Sequence, residues 1–122
     1  MNDTIGFVNS FNEVQRQANE NSRRNGFWDD FPYDDDGVVR RLVMIMKLAL
    51  IHSEISEALE ALRSGNPPDD KVPEFTSEEI ELADAVIRIM DYAEASKCRL
   101  AEAILAKHAY NTGRPYKHGK AF

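Results

Sequence analysis

Four acidic residues stand in two pairs of the same spacing. Glu54 and Glu57 are three residues apart, and so are Glu81 and Asp84. Residues three apart lie on one face of an α-helix, about one turn from each other. If both segments are helices that pack antiparallel, the four carboxylates converge on one point. Such a set of oxygen ligands suits Mg²⁺, Mn²⁺ or Ca²⁺ rather than zinc, which favours histidine and cysteine.

The first pair also continues an apolar stripe. Val43, Met46 and Leu50 precede Glu54 and Glu57 at helical spacing, so the two carboxylates extend a face that is otherwise typical of a buried surface. A buried carboxylate is costly unless it is paired or binds a cation. Glutamate and aspartate are also common on helix surfaces, so the pattern leaves a metal site and a solvated acidic surface both open.

The composition predicts a single globular domain. The chain has 122 residues, of which 43% are hydrophobic and 30% charged. We expect no membrane association, because no apolar run is long enough to cross a bilayer and the N-terminus lacks a signal-peptide pattern. Cys98 is the only cysteine, so we expect neither an internal disulfide nor a thiol metal cluster. A cytoplasmic location is the resulting prediction.

The net charge of −6 is unevenly distributed. Residues 103–122 contain four basic and no acidic side chains, which gives +4 there and leaves −10 for the remainder. The acidic body argues against a nucleic-acid polymer as partner. An acidic metal site beside a basic tail suits an anion that arrives with a metal, such as a polyphosphate. A basic tail without any ligand is the alternative.

The hydrophobic periodicity predicts an all-α protein without strands. We expect helices over residues 4–24, 38–64, 77–96 and 100–112. The apolar stripe of the first helix comprises Phe7, Phe11, Val14 and Ala18. The second helix has apolar residues on more than one side, which predicts a central position. Between the second and third helices, the Pro-rich loop 65–76 is a candidate lid.

Three further side chains have a chemical and a structural interpretation. Trp28 lies in the aromatic loop 26–37, where it can stack on a nucleobase or plug the end of the bundle, and we favour the plug. Lys47 can reach a phosphate or extend along the surface. Arg88 can bridge carboxylates or contact a ligand, but we predict an ion pair with Asp84 within its own helix.

Three segments resemble the MazG-like, all-α nucleotide pyrophosphohydrolases. The family carries E-x-x-E on one helix and E-x-x-D on the next. The sequence Glu-Leu-Ala-Asp-Ala-Val-Ile-Arg-Ile-Met-Asp-Tyr-Ala at 81–93 resembles the family's third helix. Lys107-x-x-Tyr-Asn111-x-x-Arg114-Pro-Tyr is similar to its C-terminal end, and Gly26-Phe-Trp to the entry of its second helix. The resemblance covers roughly residues 26–122.

The resemblance implies a four-helix protomer of the MazG-like type, completed by association into a homodimer or a dimer of dimers. It implies hydrolysis of a nucleoside triphosphate to the monophosphate and pyrophosphate in nucleotide-pool housecleaning. The matching metal ligands for Mg²⁺, or Mn²⁺ in its place, are Glu54, Glu57, Glu81 and Asp84. Glu54 or Glu57 would be the catalytic base, and Trp28 would lie near the nucleobase. Phosphate contacts would come from Lys47, Lys107, Asn111 and Arg114.

Other interpretations are open. Ser53 occupies the position where some family members carry an additional acidic residue, which leaves a second metal in doubt. A dUTPase-like or phosphoribosyl-ATP pyrophosphatase-like hydrolase would share the same superfold. A non-catalytic helical oligomerisation module would keep the carboxylates as structure, and a Ca²⁺-stabilised bundle would ignore nucleotides.

Overall fold

Four α-helices, without any strand in the described part of the chain, make up the fold. The computed structural model describes residues 3–33 and 37–121, except for the side chain of His118, so residues 34–36 of the predicted loop lie outside the description. The helices are α1 (Thr4–Arg24), α2 (Val38–Arg63), α3 (Ser77–Ser96) and α4 (Leu100–Thr112), followed by a 3₁₀ helix at Tyr116–Gly119. The all-α prediction is confirmed, and the predicted helix limits agree within one residue.

Local sequence signals explain where the helices begin and end. Asp3 begins α1, because its Oδ1 accepts a hydrogen bond from the Gly6 backbone N–H at 2.7 Å. Thr76 and Glu79 form a capping box at the start of α3. After α2, Gly65 adopts a φ of 89°, a left-handed conformation that suits glycine at a helix C-terminus.

The helix α3 lies between α2 and α1, and α4 packs against α1. The α2–α3 pair is antiparallel, because Glu54 contacts Arg88 while Asn66, later in the chain, contacts Glu78, earlier in α3. An antiparallel hairpin of this kind meets the condition under which the sequence pattern expects the two acidic pairs to converge.

Hydrogen bonds fix the loop that joins α2 to α3. Asp69 Oδ2 accepts from the backbone N–H groups of Lys71 and Val72 at 2.9 and 2.8 Å. The Pro67 carbonyl accepts from both the backbone N–H and the hydroxyl of Ser77 at 2.8 Å. These bonds tie the loop to the start of α3, and the candidate role as a lid stays a prediction. The loop therefore sets the register between α2 and α3.

The predicted apolar stripe of α1 is not its buried face. Phe7 and Val14 are exposed, whereas Gln15 and Asn19 are buried. The reason is a polar interface, in which Asn19 Nδ2 donates to Asp91 Oδ1 at 2.8 Å and Gln15 Nε2 donates to Glu94 Oε1 at 3.1 Å. The face of α1 that contacts α3 therefore contains Gln15 and Asn19, each of which directly follows a residue of the apolar stripe.

Large apolar side chains point outward from the single chain. The buried apolar residues are Trp28, Ala58, Ala85, Met90, Ala93 and Ala101. On α2, by contrast, Leu42, Ile45 and Met46 are each more than half exposed, at 57%, 54% and 63%. The core of one protomer is accordingly thin and rich in alanine. Within the described ranges, no helix is both long and apolar enough to span a membrane.

Candidate metal centre and adjoining groove

Three of the four predicted carboxylates meet between α2 and α3. One oxygen each of Glu54, Glu57 and Glu81 lie within 4.8 Å of one another. Glu54 is buried, Glu81 is half-buried and Glu57 is exposed, so the cluster opens to solvent on one side. Asp84 is outside this trio, one turn further along α3. It lines the same groove as Glu54, and burial, followed by repulsion from Glu54, raises the pKa of its carboxyl.

The carboxylates of the cluster repel one another. Burial, a hydrogen bond with Glu57 and repulsion from the neighbouring carboxylates raise the pKa of Glu81 to about 7. Glu81 Oε2 is buried and has no hydrogen-bond partner among the described residues. An unpartnered buried oxygen beside two other carboxylates fits a hard divalent cation such as Mg²⁺ or Mn²⁺. The donor set contains no histidine or thiolate.

Arg88 pairs across the helices, not within its own. Its Nε donates to Glu54 Oε1 at 2.5 Å, so the predicted ion pair with Asp84 is wrong. The physical reason is burial, because Glu54 is only 7% exposed and gains more from a compensating charge than the more accessible Asp84. Arg88 nevertheless lowers the pKa of Asp84 through its charge, although burial and Glu54 prevail.

Trp28 is buried under the aromatic loop. It is 3% exposed, and its Nε1 donates to both carboxylate oxygens of Asp91 at 3.0 and 3.2 Å. Phe31 packs edge-on against the indole at a centroid distance of 5.4 Å. The plug interpretation of the loop is thus the one that the packing supports. Trp28 also borders a groove between α1, α2 and α3.

Lys47 lies on the Trp28 side of this groove. Its Nζ donates to the Phe27 carbonyl at 2.5 Å and stands 4.4 Å from the centroid of the Trp28 ring. The cation–π contact and the hydrogen bond hold the ammonium group near the aromatic loop. A side chain that is merely extended along the surface would make neither contact.

A groove of about 470 Å³ joins these features between α1, α2 and α3. This volume is within the range of small-molecule sites. Carboxylates, aromatic rings and two cationic side chains all line the groove. Its charged and aromatic lining residues are Phe27, Trp28, Lys47, Glu54, Asp84, Arg88, Asp91 and Tyr92.

The predicted phosphate ligands of the C-terminal segment lie elsewhere. Lys107 Nζ and Arg114 Cζ stand 4.8 and 5.6 Å from the centroid of the Tyr110 ring, so they form a separate basic cluster. Asn111 is beside them, with its carbonyl accepting from the Arg114 backbone N–H at 3.2 Å. None of the three lines the groove. Within one chain, only Lys47 of the predicted phosphate ligands is near the carboxylates.

Two acidic residues at the site were given no role in the sequence prediction, although Asp91 falls on the same helix face as Glu81, Asp84 and Arg88. Asp69 is buried in the α2–α3 loop, and its charge contributes to the raised pKa of Asp84. Asp91 lines the groove and accepts hydrogen bonds from Trp28 and Asn19. The position of Asp91, seven residues after Asp84 and hence on the same helix face, was the signal available for it. No spacing rule places a loop residue such as Asp69.

Comparison with known proteins assigns no family to this chain. No family model, curated protein or solved structure matches it. The MazG-like resemblance accordingly stays a prediction, and the geometry of the site is what a functional proposal can be built on.

Proposed function

We propose that the protein is a Mg²⁺-dependent nucleoside triphosphate pyrophosphohydrolase, which converts a (d)NTP and water to the (d)NMP and pyrophosphate. The observation that carries the proposal is the meeting of Glu54, Glu57 and Glu81 within 4.8 Å, with one buried Glu81 oxygen unpartnered. The groove that adjoins this cluster supplies space, aromatic surface and two cationic side chains for a ligand.

The carboxylates have distinct roles in this proposal. Glu54, Glu57, Glu81 and Asp84 hold Mg²⁺, or Mn²⁺ in its place. When bound, the cation neutralises phosphate oxygens and favours attack by water. Glu57 is the exposed member of the trio and is reached by solvent water, so its second carboxylate oxygen is our candidate proton acceptor. Glu54 is buried and orients the cluster.

The groove then accommodates the rest of the nucleotide. Lys47 and Arg88 are the cationic side chains that line it, and they suit the phosphate chain. The exposed Phe27 offers ring surface to a nucleobase, and Trp28, which is 3% exposed, borders the groove beside it. In this proposal the aromatic loop plugs the bundle through Trp28 and contacts the base chiefly through Phe27.

A second copy of the chain completes the proposed site. The apolar side chains of α2 that face outward would be buried in a homodimer or a dimer of dimers. Association would also give the basic cluster of Lys107, Asn111 and Arg114 a ligand to contact, since these residues do not line the groove of their own chain. The proposed biological role is the removal of unwanted nucleotides from the nucleotide pool.

The test is product analysis in ¹⁸O-labelled water. We expect canonical and modified (d)NTPs, incubated with Mg²⁺, to yield pyrophosphate and a monophosphate that carries the label, since water attacks the α-phosphorus. The ranking of the panel would separate a general pyrophosphohydrolase from the dUTPase-like and phosphoribosyl-ATP pyrophosphatase-like alternatives. Label in inorganic phosphate, or no turnover of any nucleotide by the folded oligomer, would refute the proposal.

A non-catalytic oligomerisation module is the second candidate. The exposed apolar surface of α2 favours association whether or not the protein is an enzyme. This candidate predicts a stable oligomer that neither hydrolyses nucleotides nor changes its thermal unfolding when Mg²⁺ is added. The two candidates therefore differ in the response to the cation alone.

A further inference from the structure

Arg88 neutralises a carboxylate that the proposed metal site also needs. The Arg88 guanidinium bonds to Glu54 Oε1 at 2.5 Å across the α2–α3 interface. The exposed pairs made by Arg16 and Arg63, by contrast, lie within their own helices. A cation at the cluster and the guanidinium would compete for the Glu54 carboxylate, because the negative charge of that one group would attract both.

Arg88 is also the groove's available cation. Its side chain is 39% exposed and lines the groove, so it can leave Glu54 without crossing the core. Lys47, the other cationic side chain there, is engaged by the Phe27 carbonyl and the Trp28 ring. A guanidinium binds phosphate oxygens through two parallel N–H donors, which a carboxylate partner would otherwise occupy.

We propose that Arg88 is a built-in counter-ion that couples metal binding to anion binding. In the metal-free protein it holds Glu54 and offsets the repulsion within the cluster. A divalent cation displaces it from Glu54, and the freed guanidinium then binds a phosphate group in the groove. The inference rests on the proposed function, because it takes the acidic cluster to be the metal site.

This coupling predicts effects of opposite sign on two ligands. Arg88→Gln removes the competitor, so Mg²⁺ should bind about tenfold more tightly. The same change removes a charged phosphate contact, so inorganic pyrophosphate should bind roughly tenfold more weakly at saturating Mg²⁺. A residue that only stabilises the fold would weaken both ligands or neither.

Isothermal titration with Mg²⁺ alone is the first arm of the experiment. Wild type, Arg88→Gln and Arg88→Lys are compared with Arg16→Gln, which removes an exposed arginine of α1 remote from the cluster. Arg88→Lys retains a competing charge and should stay within about threefold of the wild-type Kd. Lys47→Met removes a positive charge from the groove without touching Glu54. If it tightens Mg²⁺ binding less than Arg88→Gln does, the gain in Arg88→Gln is not a general consequence of removing a positive charge.

Titration with pyrophosphate, followed by the fluorescence of Trp28, is the second arm. Trp28 is the only tryptophan in the chain and lines the groove, so its emission reports on occupancy there. We expect wild type to bind pyrophosphate with Mg²⁺ and much more weakly with a chelator. Arg88→Gln should lose most of that difference.

The outcomes separate this inference from the function on which it rests. Equal or weaker Mg²⁺ binding by Arg88→Gln, with wild type binding normally, would overturn the inference alone. Unchanged pyrophosphate binding by Arg88→Gln would overturn the anion half of it. Absence of Mg²⁺ binding by both proteins would overturn the proposed metal site as well. If Arg88→Gln does not fold without Mg²⁺, Arg88→Lys provides the test: it lacks the two parallel N–H donors and should bind pyrophosphate more weakly than wild type at saturating Mg²⁺, whereas equal binding would overturn the anion half of the inference.

Discussion

The Glu81 carboxyl is the residue at which stability and the proposed metal site are in conflict. Its pKa of about 7 is raised from 4.5, so the folded protein binds the proton more tightly than the unfolded chain does. The free energy of unfolding of the metal-free protein should therefore fall as pH rises from about 5 to about 8. A bound cation would favour the ionised Glu81 carboxylate and would offset this loss of stability.

Glu81→Gln tests this conflict directly. In chelator at pH 8 the variant should be more stable than wild type by roughly 1–2 kcal/mol, and its stability should depend less on pH. Urea unfolding at pH 5 and pH 8 measures both effects. Glu60→Gln, an exposed carboxylate on α2, is the control and should follow wild type. If the free energy of unfolding changed with pH equally in Glu81→Gln and wild type, the raised pKa would not belong to Glu81.

Asp91 is a second residue whose role is measurable. It accepts hydrogen bonds from the side chains of Trp28 and Asn19, and both donors are buried. Asp91→Ala leaves the Trp28 N–H unsatisfied and leaves Asn19 Nδ2 only the backbone carbonyl of residue 91 at 3.4 Å, so we expect a loss of about 2–4 kcal/mol in the free energy of unfolding. Urea denaturation checks this value. Asp29→Ala, a change at an exposed position of the aromatic loop, should lower the free energy of unfolding much less. An equal loss in the two variants would show that the hydrogen bonds to Asp91 do not contribute as proposed.

At the scale of elements, the α2–α3 loop is the part that sets the geometry of the site. Asp69→Ala removes the acceptor for two backbone N–H groups and frees the loop to shift α3 along α2. We expect weaker Mg²⁺ binding by roughly tenfold and a loss of about 1–3 kcal/mol in stability. Calorimetry gives the first quantity and thermal unfolding the second. The neighbouring exposed Asp70, changed to Ala, is the control. Wild-type Mg²⁺ affinity in Asp69→Ala would show that the loop does not position the cluster.

Sequence pattern predicted the elements well and their buried faces less well. Periodicity and capping signals located all four helices, because helix ends depend on local residues such as Asp3 and Thr76. The meeting of Glu54 with Glu81 also followed, since i, i+3 spacing and antiparallel packing determine it. The choice between Asp84 and Glu54 as the partner of Arg88 depends on relative burial, which spacing does not contain.

The interface of α1 shows the same limit. Its apolar stripe suggested the packing face, but Gln15 and Asn19 are buried instead because α3 presents Asp91 and Glu94 to them. The apolar stripe of one helix predicts its buried face only when the helix that it contacts is apolar as well. Here α3 presents polar side chains to α1. The stripe residues Phe7 and Val14 remain outside, where a further surface can cover them.

At the scale of the whole molecule, the exposed face of α2 predicts association. Met46→Glu places a charge in the middle of this apolar surface, where Met46 is 63% exposed. Burying that charge in an interface would be unfavourable, so we expect a shift to monomer in sedimentation velocity and a loss of pyrophosphate release of at least about tenfold. Asn12→Glu, at an exposed polar position of α1, should leave the oligomer intact. A Met46→Glu oligomer indistinguishable from wild type would place the interface elsewhere.

Mg²⁺-dependent pyrophosphate release by wild type, Glu57→Gln and Glu60→Gln tests the central claim most directly. The two variants make the same chemical change one turn apart on α2, but only Glu57 belongs to the cluster. We predict release that requires Mg²⁺, falls at least about 100-fold in Glu57→Gln and is unchanged in Glu60→Gln. Equal turnover by the two variants, or release that persists in chelator, would contradict the account.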